Sequence, residues 1–279
     1  MNVLRAKTAG FCMGVSLALR RLDESISQYR ATKRLVMFGP IIHNPQVLRH
    51  YQEQGVICTE NPDELGPDDA VVVRAHGIPL PLEQTIRNRG VTLVDATCPK
   101  VKAAQLSIAK STADGAQLLL FGEASHPEVR GLVSYANGAC KVFSSLSELT
   151  ERYDGPVVLA AQTTQENTAF QAIAETLRRQ CSELQVLSTI CDATSKRQSE
   201  TAEIARKVEL MVVIGGKSSG NTRRLADVAR NEGIPALHVE TRGELPLDEL
   251  KSCRIVGLTA GASTPREMID EAQKVLEAL

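Results

Sequence analysis

The sequence predicts an α/β protein of three similar small domains, each built on a parallel sheet, arranged around a pseudo-threefold axis. Three observations predict it. Of 279 residues, 43% are hydrophobic but only 3% aromatic, with no Trp, so the interior is made of Val, Leu, Ile and Ala, as α/β cores are. Short, continuously apolar runs alternate with helical stretches, the pattern of parallel strands covered on both faces. The same order of elements also recurs three times when the chain is aligned to itself on Cys12, Cys98 and Cys191, and such a period governs the fold.

The first copy opens with a strand over residues 2–6 that leads to Cys12. A helix to about residue 29 and a strand over 35–38 follow, ending at Gly39, four residues before His43. The second opens with a strand over 91–94 before Cys98, then a helix to about 112 and a strand over 117–121, ending at Gly122, four residues before His126. In the third, a strand over 185–187 precedes Cys191, a helix runs to about 207, and a strand over 210–214 meets Gly215-Gly216 and Asn221. His43 to Gly55, His126 to Gly138 and Asn221 to Gly233 are each twelve residues apart, the length of a three-turn helix closed by a glycine with positive φ. A Glu-Leu pair then precedes a last strand in each copy, over 71–73, 157–160 and 255–258. These end at His76, at Thr163 and Thr164, and at Ser263. Domains over 1–96, 97–190 and 191–279 are expected, the N-terminal strand completing the third sheet because the chain otherwise ends in a helix over 265–279.

Ligands of parallel sheets bind beyond the carboxyl ends of the strands, and every polar residue just named sits at such an end. Three thiols from separate units suit Zn²⁺ with a fourth ligand, or an iron–sulfur cluster with one iron lacking a cysteine. Cys58, Cys140, Cys181 and Cys253 fall outside the repeat and read as small apolar residues. The segment from Gly215 to Thr222 enters a helix whose free N–H groups favour an anion. It is not a Walker loop, since Met211 stands where that motif needs glycine. With the histidines, Ser219, Asn221 and Ser263, these donors suit a compact polyanion such as a diphosphate, whereas Lys217 reads as solvated and His50 and His238 lie off the edge. The 32 basic and 33 acidic residues leave a net charge of −1, which gives no broad field for nucleic acid. No run approaches the ~18 apolar residues of a membrane span, so a cytoplasmic chain with neither nucleic acid nor membrane as partner is expected.

Gly-Phe-Cys-Met-Gly-Val (10–15), Ile-His-Asn-Pro (42–45), Ala-His-Gly (75–77) and Asp-Ala-Thr-Cys-Pro (95–99) carry a resemblance. So do His-Pro-Glu-Val (126–129), Gln-Thr-Thr (162–164), Ile-Cys-Asp-Ala-Thr (190–194), Gly-Lys-Ser-Ser-Gly-Asn-Thr (216–222) and Thr-Ala-Gly-Ala-Ser (259–263). Together, in this order and over nearly the whole chain, they closely resemble the LytB family of 4-hydroxy-3-methylbut-2-enyl diphosphate reductases. The resemblance implies a central [4Fe-4S] cluster with three cysteine ligands, Cys12, Cys98 and Cys191. It implies a two-electron reduction that removes the hydroxyl of (E)-4-hydroxy-3-methylbut-2-enyl diphosphate as water, giving isopentenyl and dimethylallyl diphosphate, the last step of the methylerythritol phosphate route. Its electron donor would be of ferredoxin or flavodoxin type. The diphosphate substrate would be bound by His43, His76, His126, Thr163, Ser219, Asn221 and Ser263; Glu128, Thr163 and His126 would be catalytic, with Glu128 and Thr163 the proton-relay side. Gly220, Met13, Ala161 and Asp192 depart from the family's usual residues. A zinc- or cluster-bearing binding protein on the same scaffold is the alternative, and its mark would be the absence of Glu128 and the three histidines.

Overall fold

A computed structural model describes residues 1–279. Along the chain come β1 (Asn2–Arg5), α1 (Met13–Tyr29), β2 (Arg34–Phe38), α2 (Pro45–Glu53), β3 (Ile57–Thr59), β4 (Asp69–Val73), α3 (Leu80–Asn88) and β5 (Thr92–Asp95). Next are α4 (Pro99–Ser111), β6 (Gln117–Phe121), α5 (Pro127–Val133), β7 (Cys140–Phe143), β8 (Pro156–Ala161), α6 (Asn167–Gln180) and β9 (Glu183–Val186). The last stretch holds α7 (Asp192–Ala205), β10 (Leu210–Ile214), α8 (Gly220–Asn231), β11 (Ala236–Val239), α9 (Leu247–Leu250), β12 (Ile255–Ala260) and α10 (Arg266–Glu277).

The strands form three four-stranded sheets in one order, β3-β2-β4-β5, β7-β6-β8-β9 and β11-β10-β12-β1, and every neighbouring pair is parallel. In each sheet the fourth strand leads to a cysteine: β5 to Cys98, β9 to Cys191, and β1 to Cys12. β1 lies along β12 with Val3 opposite Val256. The turn after each second strand is closed alike, by Gly39, Gly122 and Gly215 N–H groups donating to Thr59, Phe143 and Val239 at 2.7, 2.9 and 2.9 Å.

The continuous apolar strands are explained by helices on both faces. Along β6, Leu118 and Leu120 pack with Ile108 of α4 and Leu132 of α5, while Leu119 and Phe121 pack with Phe170, Ile173 and Leu177 of α6. In the third sheet Val212 and Ile214 face Ile269 and Leu276 of α10, and Val213 faces Leu225 of α8. Each such side chain contributes about 1.5–3 kcal/mol when fully buried. The Glu-Leu pairs end 3-10 turns (Pro62–Glu64, Leu146–Glu148, Arg242–Glu244), after which Leu65, Leu149 and Leu245 are buried.

The twelve-residue spacing hides one difference. Gly55 and Gly233 have φ of +89° and +87°, but Gly138 is not in the left-handed region, and α5 before it has only 7 residues. Gly138 is needed for space, since a Cβ there would lie 2.3 Å from the Ala116 carbonyl oxygen.

The chain forms two compact units. One comprises Leu17–Ile41 and Tyr51–Cys191 and holds the first two sheets; the other comprises Met1–Ser16, Ile42–His50 and Asp192–Leu279 and holds the third. No helix is long and apolar enough to cross a membrane.

Candidate active site

In the unit of the first two sheets, strand ends and helix starts bring His76, His126, Glu128 and Thr163 together. His126 is the N-cap of α5, and its Nδ1 accepts the Glu128 N–H at 3.1 Å. With that lone pair engaged, the neutral ring carries its proton on Nε2 and is a donor there. His76, in the loop after β4, meets His126 edge to face with ring centroids 5.5 Å apart. Glu128 is 1% exposed. Its Oε1 accepts the Thr163 N–H at 2.6 Å and its Oε2 the Thr163 hydroxyl at 2.9 Å. A carboxyl–hydroxyl pair of this kind can carry a proton either way, because the hydroxyl both donates and accepts.

Two cysteines are tied by their backbones to the same loops. Cys98 N–H donates to Ala75 and Cys191 N–H to Thr163, each at 2.9 Å. In the other unit Cys12 N–H donates to Ala262 at 3.3 Å. Ala75, Thr163 and Ala262 stand two residues beyond β4, β8 and β12 respectively, the third strand in the order of each sheet, so one bond is made three times. It sets each cysteine beside a polar residue, His76, Thr164 and Ser263 in turn.

Each cysteine also stands at a helix start. Cys98 is the N-cap of α4, Cys191 directly precedes α7, and Cys12 Sγ accepts the Val15 N–H of α1 at 3.5 Å. Three cysteines at repeat-equivalent helix starts supply sulfur donors of the kind that hold iron or zinc, so the donor set fits a metal–sulfur group. The turn before Cys98 is fixed by Asp95, whose Oδ1 accepts the Thr97 N–H at 3.0 Å. Burial opposes the charge of Asp95, yet hydrogen bonds from Thr97 and the Lys102 cation hold its carboxyl below the ordinary range. Before Cys191, the Thr189 hydroxyl takes the place of a strand partner, accepting from Ala161 N–H at 2.8 Å and donating to its carbonyl at 2.7 Å. By contrast burial pushes the Cys58 and Cys181 thiols up, toward the inert protonated form.

The unit of the third sheet gathers His43, Ser219, Asn221 and Ser263. Ser219 caps α8, its hydroxyl accepting the Thr222 N–H at 3.3 Å. Asn221, in the first turn, is 6% exposed, and its Nδ2 has no hydrogen-bond partner. A buried amide donor without a partner costs about 1–3 kcal/mol, which an anion at the α8 N-terminus would recover. Ser263 Oγ donates to the His43 carbonyl at 3.2 Å, and a Cβ on Gly216 would lie 2.6 Å from that carbonyl oxygen. Lys217 is exposed and paired with Glu244 at 2.8 Å. His238 bonds the Gly215 carbonyl at 2.9 Å, and His50 is exposed at the end of α2. Asp192 is exposed in the first turn of α7, where its charge suits the helix dipole.

Gln105 of α4 does not stand out in the sequence. It is 1% exposed, and its Nε2 would lie 2.9 Å from a Cβ on Gly77 and 3.6 Å from one on Gly131. It thus wedges between the His76 loop and α5. Its signal is a glutamine on the apolar stripe of Val101, Ala104 and Ile108.

The family described as LytB protein matches residues 3–277. The chain belongs to the LytB family. A 4-hydroxy-3-methylbut-2-enyl diphosphate reductase of Nitratidesulfovibrio vulgaris (strain Miyazaki F) is 54% identical over 283 residues, covering 100% of both chains. A solved structure of (E)-4-hydroxy-3-methyl-but-2-enyl diphosphate reductase, the terminal enzyme of the non-mevalonate pathway, is 36% identical over 100% of both chains with a TM-score of 0.71. The Plasmodium falciparum E-1-hydroxy-2-methyl-but-2-enyl-4-diphosphate reductase shares the fold at a TM-score of 0.93, with 23% identity over 98% of this chain and 87% of that one. LytB membership thus agrees with an α/β chain of three parallel sheets whose polar residues collect at strand ends.

Proposed function

We propose that this chain is an oxidoreductase that removes the hydroxyl of (E)-4-hydroxy-3-methylbut-2-enyl diphosphate, yielding isopentenyl and dimethylallyl diphosphate as the last step of the methylerythritol phosphate route. Its relatives are named as reductases of that diphosphate, one of them as the terminal enzyme of the non-mevalonate pathway. The observation that carries the reading within this chain is Glu128, a buried carboxyl bound through both oxygens to Thr163, the residue whose carbonyl receives Cys191.

Two electrons and two protons enter, the carbon–oxygen bond breaks, and the hydroxyl leaves as water while the second proton goes to carbon. Protonation at one or the other end of the three-carbon allylic unit gives the two isomers. Cys12, Cys98 and Cys191 would hold a [4Fe-4S] cluster, which when bound supplies one-electron storage and a Lewis-acidic iron. The electrons come from a ferredoxin- or flavodoxin-type donor in the cytoplasm. His43, His76, His126, Ser219, Asn221 and Ser263 bind the diphosphate. Glu128 delivers the proton through Thr163, and His126, its Nδ1 held by Glu128 N–H, offers Nε2–H to the substrate.

Iron and sulfide analysis of anaerobically purified protein, with turnover driven by a reduced viologen, tests this function. Brown protein carrying both elements and producing the two isomers is expected; a colourless zinc protein would overturn it. Asn221→Ala is expected to weaken binding of the diphosphate substrate by about 1–3 kcal/mol, or roughly five- to 150-fold in Kd, with the visible spectrum unchanged. Calorimetry on the loaded protein checks this, and wild-type affinity would remove Asn221 from the diphosphate site.

A further inference from the structure

Helix α7 grips the segment before Cys12 at both ends. Glu200 Oε1 accepts the Lys7 N–H at 2.8 Å, and Oε2 accepts the Thr8 N–H at 2.8 Å and the Thr8 hydroxyl at 2.5 Å. One turn earlier on the same helix face, Arg197 is 4% exposed and donates through Nη2 to the Gly10 carbonyl, two residues before Cys12. Its Nη1 lies 3.5 Å from the Ala193 carbonyl of its own helix. Burial works against the Glu200 charge, but the three bonds from Thr8 and Lys7 outweigh it and hold the carboxyl below its ordinary range. Hydrogen bonds with one charged partner are about twice as strong as neutral ones.

This grip falls on the one cysteine arm that needs it. Cys12 N–H reaches Ala262 at 3.3 Å, against 2.9 Å for the equivalent bonds of Cys98 and Cys191. The arm turns at Gly10, whose φ is +105°, a conformation that in itself does not fix direction. We propose that Arg197 and Glu200 are positioning residues that hold Cys12 as a cluster ligand, with the Arg197 charge favouring reduction of the cluster. This rests on the cluster reading above. A cluster's potential follows the charge and hydrogen bonding around it, so loss of a buried cation bonded to the residue two before a ligand disfavours the added electron.

The test is a potentiometric titration of the loaded protein followed by electron paramagnetic resonance, together with the rate of iron release to a chelator. In Arg197→Met the reduction equilibrium is expected to fall at least tenfold, a midpoint about 59 mV lower, and Arg197→Lys is expected to restore most of it. Iron release is expected to be at least tenfold faster in Arg197→Met and in Glu200→Ala. If Arg197→Met does not fold, Arg197→Lys and Glu200→Gln carry the release measurement, each expected to release iron faster than wild type. Loaded variants with wild-type potential and wild-type release overturn the proposal, as does a loss of melting temperature with both readings unmoved. A wild-type chain that takes up no iron and sulfide refutes the cluster reading instead.

Discussion

Glu128→Gln is expected to reduce turnover by about 10²- to 10⁴-fold, the range spanned by positioned acid–base groups, while iron content and substrate affinity stay near wild type. The geometry explains why so little else should change. Glutamine can keep its carbonyl on the Thr163 N–H and turn its amide toward the Thr163 hydroxyl, which then accepts; the positions now held at 2.6 and 2.9 Å are both served. What is lost is the proton. If Glu128 only complemented the α5 dipole, its worth would be about 0.3–1 kcal/mol of stability and catalysis would survive. Its 1% exposure and the commitment of both oxygens to one threonine speak against that role. Single-turnover kinetics with a reduced viologen decide it, near wild-type turnover removing Glu128 from the proton path.

The second large effect is loss of the cluster from Cys98→Ser. Serine is among the best N-cap residues, so α4 should start as well as before and the apo-protein should melt near the wild-type temperature. Iron and sulfide should be absent or nearly so. Cys12→Ser and Cys191→Ser are expected to behave alike, whereas serine at Cys58, Cys140, Cys181 or Cys253 should leave the brown colour. Full iron content in Cys98→Ser would contradict the assignment of the ligands.

The strands and the strand-end residues were legible because buried parallel strands are apolar throughout and because one turn geometry is used three times. The repeat says nothing of α3 and α6, which follow the last strands and lie outside its cysteine-to-glycine frame. Even so, α6 carries a clear stripe in Phe170, Ile173, Ala174 and Leu177. Gly138 shows the limit of spacing, since the same letter at the same distance answers a backbone contact instead of a positive φ. The joining of Glu128 to Thr163 follows from two chain segments meeting, and no local pattern encodes it. Arg197 and Glu200 were illegible for another reason: they bind mainly backbone groups of a segment about 190 residues away, which leaves no complementary side chain to find.

The pairing of β1 with β12 also sets a timetable for synthesis. The strand that β1 pairs with is made about 250 residues after it, on the order of 10–50 s later at ordinary elongation rates of about 5–20 residues per second. For that interval β1 has no sheet to join, and Cys12 lacks the Ala262 carbonyl that receives its N–H. The cysteine made first is therefore the last to be placed, and a ribosome stalled before β12 carries a nascent chain whose third sheet has lost two of its four strands.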